Sequence, residues 1–265
     1  MFKSQSKDLT GYLKGSGIEI GALNNPLEVK DAKVLYVDYL EHEALIKSNP
    51  ETRDAEIRKP DINADAEDLS VIESGSQDFV ILSHVLEHLP NPLKALKEIH
   101  RVLRNGGIFY LSVPDKRFSF DNLREVTPLL HIVDDFKSGM TPGKCLLHYE
   151  EWLNLVELKK EKPVAKTVDE LIKGGYRIHY HVFLPETLLQ LLTYAGENLG
   201  VSFLLKDHYY NKGDLNIVLI LEKQEVYCGL PVILKEKPSK FNRVLGRFLK
   251  KSEGIFNYAK ISEKK

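Results

Sequence analysis

Glu19 and Asp38 stand 19 residues apart, each at the end of a short apolar run. Ile18-Glu19-Ile20 stops at Gly21, and Lys33-Val34-Leu35-Tyr36-Val37 stops at Asp38. This is close to the interval at which an acid closing a second strand meets a ribose diol. One carboxylate can accept from both hydroxyls. The loop between the runs begins Gly21-Ala22-Leu23-Asn24-Asn25-Pro26, with a single glycine. Pyrophosphate sites need G-x-G-x-x-G so that the backbone can approach the phosphates. The pattern therefore suits a nucleoside without phosphates, carrying positive charge near Glu19.

Five histidines could move a proton near neutral pH: His84, His88, His148, His179 and His181. His179 and His181 are two apart, so an extended segment would point them the same way. His148 sits in Leu147-His148-Tyr149-Glu150-Glu151. His84-x-x-Glu87-His88 places three potential metal ligands on one helical turn; the reading adopted is a turn without metal. Cations cluster after the apolar runs at Lys116, Arg117, Lys144 and Arg177. Arg117, next to Pro114-Asp115, is a candidate bidentate clamp on a phosphate or carboxylate. An anionic small molecule is thus the expected ligand.

These residues need a scaffold that gathers them. Asp78–Leu82 is a near-continuous apolar run, as in a central parallel strand covered on both faces. Leu93, Leu96, Ile99, His100 and Leu103 share one helical face, stopped by Asn105-Gly106-Gly107. Ile108–Val113 is a further strand, and Glu41–Ser48 a short helix closed by Asn49-Pro50. Strands alternating with helices predict an α/β fold with a doubly wound, mostly parallel sheet. Residues 116–184 break the rhythm, with a charged helix near Glu150–Lys162. They are read as a cap over the sheet's carboxyl edge. A helix from Pro185 and strands at Val201–Leu205 and Leu215–Leu221 close the domain. The division is 1–115 core, 116–184 cap insertion, 185–225 completion of the core and 226–265 tail.

The chain has 265 residues, 43% hydrophobic, and a formal net charge of −1, which excludes global disorder. Cys145 and Cys228 cannot form a disulfide framework, which points to a reducing compartment. No apolar leader opens the sequence and no run reaches the roughly 18 residues of a membrane span. The expectation is a cytoplasmic protein. The charge is polarised: Lys235–Lys265 carries +7, and the preceding residues −8. Phe241, Val244, Leu245, Phe248 and Leu249 repeat at helical spacing within that tail. Docking of this stripe on the parent domain is the favoured reading; contact with an anionic membrane or a partner is the other. Nucleic acid is not an expected partner of the acidic body.

The chain resembles the class I S-adenosylmethionine-dependent methyltransferases over about residues 15–115 and 185–222. GIEIGALNNPL resembles their first motif, with Leu23 and Asn25 in place of the second and third glycines. YVDYL resembles the acidic end of the second strand, and DINADAEDL the adenine-binding segment. QDFVILSHVLEHLPNPLKALKEIHRVLRNGGIFYLSVPD resembles the fourth strand through the fifth, and is the longest and most specific block. PDKRFSFD and HYHVFLPETLLQLL are similar to a bacterial subgroup associated with surface-glycan biosynthesis.

The resemblance implies a seven-stranded Rossmann-like sheet with an insertion between strands 5 and 6. It implies S-adenosylmethionine as cofactor and S-adenosylhomocysteine as product. Glu19, Gly21 and Ala22 would lie beside the methionine moiety and Asp38 at the ribose. Asp65 and Ala66 would take the adenine, with Ser83 and His84 near the transferred methyl. Catalytic candidates are then His84, His148, His179 and His181. Asp115, Arg117, His148, His179 and His181 would face the acceptor. The implied activity is O-methylation of a small polar or anionic acceptor, such as a nucleotide-linked or acidic sugar or a phosphoryl group. Some methyltransferases with a related Glu-x-x-Glu-His pattern bind a divalent cation; this chain has His84 in the first position. A nicotinamide-dependent reductase is disfavoured by the missing glycines and by the lack of a Tyr-x-x-x-Lys pair. A non-enzymatic cofactor-binding module is the remaining rival.

Overall fold

The computed structural model describes residues 8–48, 57–210 and 213–226. Seven strands form one sheet: β1 Gly15–Ile20, β2 Ala32–Asp38, β3 Ile62–Asn63, β4 Gln77–Ser83, β5 Leu103–Pro114, β6 Phe203–Tyr209 and β7 Asn216–Lys223. Their spatial order is β3-β2-β1-β4-β5-β7-β6. The first five run parallel to one another, while β7 runs antiparallel to both β5 and β6. This is the doubly wound, mostly parallel sheet expected. Strand order reverses between β1 and β4, which opens a crevice at their carboxyl ends, where such sheets bind ligands.

The centre of the sheet explains its sequence. Phe79, Val80, Ile81 and Leu82 of β4 are all 0% exposed, so this strand has no polar face to show. Gly17 of β1 faces β4 so closely that a Cβ there would sit 2.3 Å from the Phe79 carbonyl oxygen. Helix α1 is His42–Ser48, and α2 is Pro92–Val102. Proline opens α2, and the Asn91 side chain accepts the Lys94 N–H at 3.1 Å. Its Leu93, Leu96 and Ile99 are fully buried.

Three boundaries differ from the sequence reading. Helix α2 ends at Val102, and Asn105-Gly106-Gly107 lies inside β5, where its register against β4 slips. Gly106, at φ +71°, makes that irregularity rather than a helix stop. β6 runs on to Tyr209, because its polar Lys206-Asp207-His208 stretch sits on an edge strand. The charged helix expected near Glu150–Lys162 starts earlier.

Residues 116–184 contain α3 Leu129–Ser138, α4 Pro142–Leu155 and α5 Val168–Lys173, and α6 Pro185–Leu199 follows. Pro142 occupies the first turn of α4, capped by Thr141. The insertion has its own small core of Trp152, Leu153, Val156, Ala165, Leu171 and Ile178. Its returning segment is tied to the sheet edge. His181 donates its N–H to the Glu87 carbonyl, Lys116 to Phe183 and Thr127 to Val182, at 3.1–3.2 Å. No helix of the described residues is long and apolar enough to cross a membrane. Asn49-Pro50, Cys228 and the predicted tail helix lie outside the described residues.

Candidate active site

The acids expected at the cofactor edge lie where the parallel strands end. Glu19, on β1, is 1% exposed and accepts the Leu27 N–H at 2.9 and 3.2 Å through its two oxygens. Burial pushes its carboxyl up to about 7, against that hydrogen bond and the charge of Arg58. Gly21 follows at φ +70°, and a Cβ there would fall 2.6 Å from Val85 Cγ2. Leu23, in a position the resemblance reserves for glycine, adopts a left-handed conformation with φ 49°. The loop thus makes the glycine turn with a leucine.

Asp38 ends β2 and accepts the Leu40 N–H at 3.2 Å. Burial raises its carboxyl, and Asp65 adds to the rise, while Arg177 opposes it. The Arg177 guanidinium reaches out of the insertion to lie 4.9 Å from the Tyr39 ring centre, beside Asp38. Asp65 accepts the Glu67 N–H at 2.8 Å, closing a turn in which Ala66 is buried. An edge built from acids, with no glycine-rich phosphate cradle, fits a cationic, phosphate-free nucleoside.

Next to this edge, at the end of β4, His84 is a non-glycine residue held at φ 55°. Backbone strain of this kind concentrates at functional sites. Its Nε2 lies 2.8 Å from Asn216 Oδ1, and its Nδ1 3.5 Å from Glu87 Oε1. Burial opposes the charged imidazolium, but Glu87 and Asn216 outweigh it and raise the ring's affinity for a proton. Glu87 is 1% exposed and neither oxygen has a hydrogen bond. Burial would raise its carboxyl; the surrounding histidines, His84 first, hold it below the ordinary value. The two face each other as a histidine–carboxylate pair.

A cavity of about 360 Å³ adjoins the pair, lined by His84, Glu87, His88, Phe118, Phe120 and His179. His88 Nδ1 lies 2.9 Å from the Ile178 carbonyl, which only accepts, so this nitrogen carries the proton. Burial pushes this ring down to about 4, and it is neutral. His179 Nδ1 lies 2.7 Å from Asp121 Oδ2. Burial would raise the Asp121 carboxyl, but His179 and Arg124 hold it below the usual range. An ionised Asp121 accepts a hydrogen bond from His179 Nδ1–H, which in the neutral ring leaves the lone pair on Nε2. Arg124, 1% exposed, binds Asp121 Oδ1 at 3.0 Å and the His179 carbonyl at 2.7 Å.

The structure brings His84, His88 and His179 together around one cavity. His148 lines a second cavity within the insertion. His181 is 0% exposed, its Nε2 3.4 Å from the Pro90 carbonyl, and burial takes its ring down to about 3. His179 and His181 therefore do not share a cavity. Ser83 ends β4 half-buried, one residue from His84. Asp115 is fully buried and holds the Arg117 fork, with Nε at 2.9 Å and Nη2 at 2.6 Å. Asp121, Arg124 and Asn216 were not singled out by the sequence. Asp121 closes the PDKRFSFD motif, but its partner lies 58 residues away.

Residues 14–111 match the family model of a methyltransferase domain, a stretch running from just before β1 into β5. Among curated proteins, the chain is 32% identical over 87 residues to probable polyketide synthase 31 of Dictyostelium discoideum. It is 31% identical over 87 residues to probable polyketide synthase 33 of the same organism. Each alignment takes in 32% of this chain and 3% of the relative, so the chain spans a small fraction of these proteins. Among solved structures, it is similar to an S-adenosylmethionine-dependent methyltransferase of Thermotoga maritima, described as a possible histamine N-methyltransferase. Identity is 18%, coverage 79% of this chain and 82% of that one, and the TM-score 0.43. A methyltransferase fold from Listeria monocytogenes is 15% identical, with 79% and 90% covered and a TM-score of 0.43. Residues 14–111 are thus similar to a methyltransferase domain, and the doubly wound sheet with its acidic edge accords with S-adenosylmethionine as the cofactor of such a domain.

Proposed function

We propose that the protein is an O-methyltransferase acting on a hydroxyl of a small polar acceptor of the sugar class. When bound, S-adenosylmethionine supplies a methyl carbon activated by a sulfonium. Glu19, Gly21 and Ala22 hold its methionine end, Asp38 the ribose, Asp65 and Ala66 the adenine, and Ser83 with His84 line the approach to the reacting carbon. The insertion 116–184 supplies the acceptor side. One observation carries the reading: the Asp121–His179 pair in the cavity beside His84. His179 Nε2 takes the hydroxyl proton, and Asp121 holds the ring in the tautomer that can do so. His84 is a positioning residue in this scheme, since both its nitrogens are engaged.

The acceptor is better read as a neutral hydroxyl compound than as an anion. Arg117 is spent on Asp115, Lys144 on Asp134 and Asp135, and Arg177 stacks on Tyr39. The surface-glycan setting rests on the resemblance of PDKRFSFD and HYHVFLPETLLQLL. The test is methyl transfer to a panel of free and nucleotide-linked sugars, read as S-adenosylhomocysteine release and a methylated product by mass spectrometry. Product on a sugar hydroxyl, lost in Asp38→Ala, supports the assignment. Product only on amine or thiol acceptors overturns it.

A further inference from the structure

The insertion holds a second group of convergent side chains, outside the cofactor edge and the cavity beside it. His131 and Asp135 lie four residues apart on one face of α3, and α4 brings His148 against them. His131 Nε2 is 3.2 Å from His148 Nε2 and 3.1 Å from Asp135 Oδ2, and His148 Nε2 is 3.8 Å from the same oxygen. Three ligand atoms thus converge on one point from two helices.

We propose that His131, His148 and Asp135 form a binding site for a divalent transition-metal cation of the zinc class. Zinc bonds to nitrogen and oxygen are about 2.0–2.2 Å, so a tetrahedral ion spaces its ligands by about 3.3 Å. The measured triangle is already close to that size, and one edge has only to shorten. Asp135 Oδ2 is buried without a hydrogen bond, although two imidazole nitrogens stand near it. A carboxylate oxygen in that state is costly unless a cation meets it. Its other oxygen is bound at 2.8 Å by Lys144 Nζ, which Ser138 Oγ also holds at 2.8 Å. That contact fixes the carboxylate's orientation, as partners outside the coordination sphere do in metal sites.

The ligand set is two imidazoles and one carboxylate, which suits zinc and its first-row neighbours rather than magnesium or calcium. A cavity of about 310 Å³ borders His131, His148, Lys144, Glu151 and Tyr180. It provides an entry path and room for a fourth ligand. The three residues are distributed over two helices, so no short sequence spacing announces them as it does His84-x-x-Glu87-His88.

The experiment uses the full chain, purified without a histidine tag, stripped with chelator and titrated with Zn²⁺ by calorimetry. One equivalent is expected, and Co²⁺ in its place should give the visible bands of a tetrahedral site. His131 is 44% exposed, so His131→Ala tests the site with little risk to the fold. His131→Ala and Asp135→Asn should each weaken Zn²⁺ binding by about tenfold or more, with unchanged far-ultraviolet dichroism. Failure to take up Zn²⁺ overturns the proposal. Uptake that survives both variants and disappears in Glu87→Gln also overturns it, because the ion then sits at the other cluster.

Discussion

Glu19 is a carboxylate almost fully withdrawn from water, with Leu27 N–H as its hydrogen-bond donor. Its folded-state value near 7 stands above the ordinary 4.5. The protonated form is favoured in the folded protein, so the stabilisation is complete below about 4.5 and lost as pH rises through about 7. A shift of that size is worth on the order of 3 kcal/mol. Glu19→Gln should flatten the pH dependence of unfolding in that window, measured by urea denaturation at several pH values. An unchanged slope would remove Glu19 as its source. The same variant should weaken S-adenosylmethionine binding, because the cationic ligand favours the ionised form. The reacting end has its own expectation. His179→Ala should lower kcat by about 10²–10⁴-fold, with cofactor affinity little changed. Asp121→Asn should lower kcat with the fold kept, since an amide can offer its NH₂ where the carboxylate accepted the hydrogen bond of Nδ1–H. A His179 variant with normal kcat would move the base elsewhere.

The loop after β1 makes its turn with one glycine and one strained leucine, and this element decides whether the cofactor edge is in register. Gly21→Ala forces a Cβ onto Val85 at a φ that L residues rarely adopt. The expected cost is about 1–3 kcal/mol in stability, with weaker S-adenosylmethionine binding. Val85→Ala in the same chain should recover only the steric part, because the backbone conformation remains unfavourable for alanine; full recovery would assign the whole effect to the clash. Elements of this kind were legible in the sequence wherever the cause is local. The apolar run of β4, the period of α2 and the acids at the ends of β1 and β2 each declare themselves within ten residues. Pairings across long separations do not. Asn216 meets His84 across 132 residues, and Asp121 meets His179 across 58. The placement of His179 and His181 shows the same limit: spacing by two suggested a common side, but packing sent them to different surroundings.

At the scale of the whole described body, the insertion is drawn together around Arg124, whose partners all belong to residues 116–184. This side chain is almost completely buried, yet it donates to four oxygens from different parts of the insertion: Asp121, Glu151, and the carbonyls of His179 and Tyr180, with Trp152 beneath its guanidinium. Removing one member of a buried ion pair leaves the other charge without compensation, at a typical cost of about 3–5 kcal/mol. Arg124→Ala should therefore lower Tm strongly and expose residues 116–184 to protease. Arg124→Lys is the sharper test. Lysine keeps the charge but presents one ammonium where a planar fork reached two carboxylates and two carbonyls at once. The variant should fold, lose the alignment of Asp121 on His179, and show a lower kcat with a nearly unchanged affinity for S-adenosylmethionine. That split follows from geometry, because the cofactor acids sit on β1 and β2 while Arg124 acts only on the insertion's residues. If Arg124→Lys keeps its protease resistance and a kcat within about twofold of the parent, the fork is not what aligns the insertion's residues, and charge alone is enough.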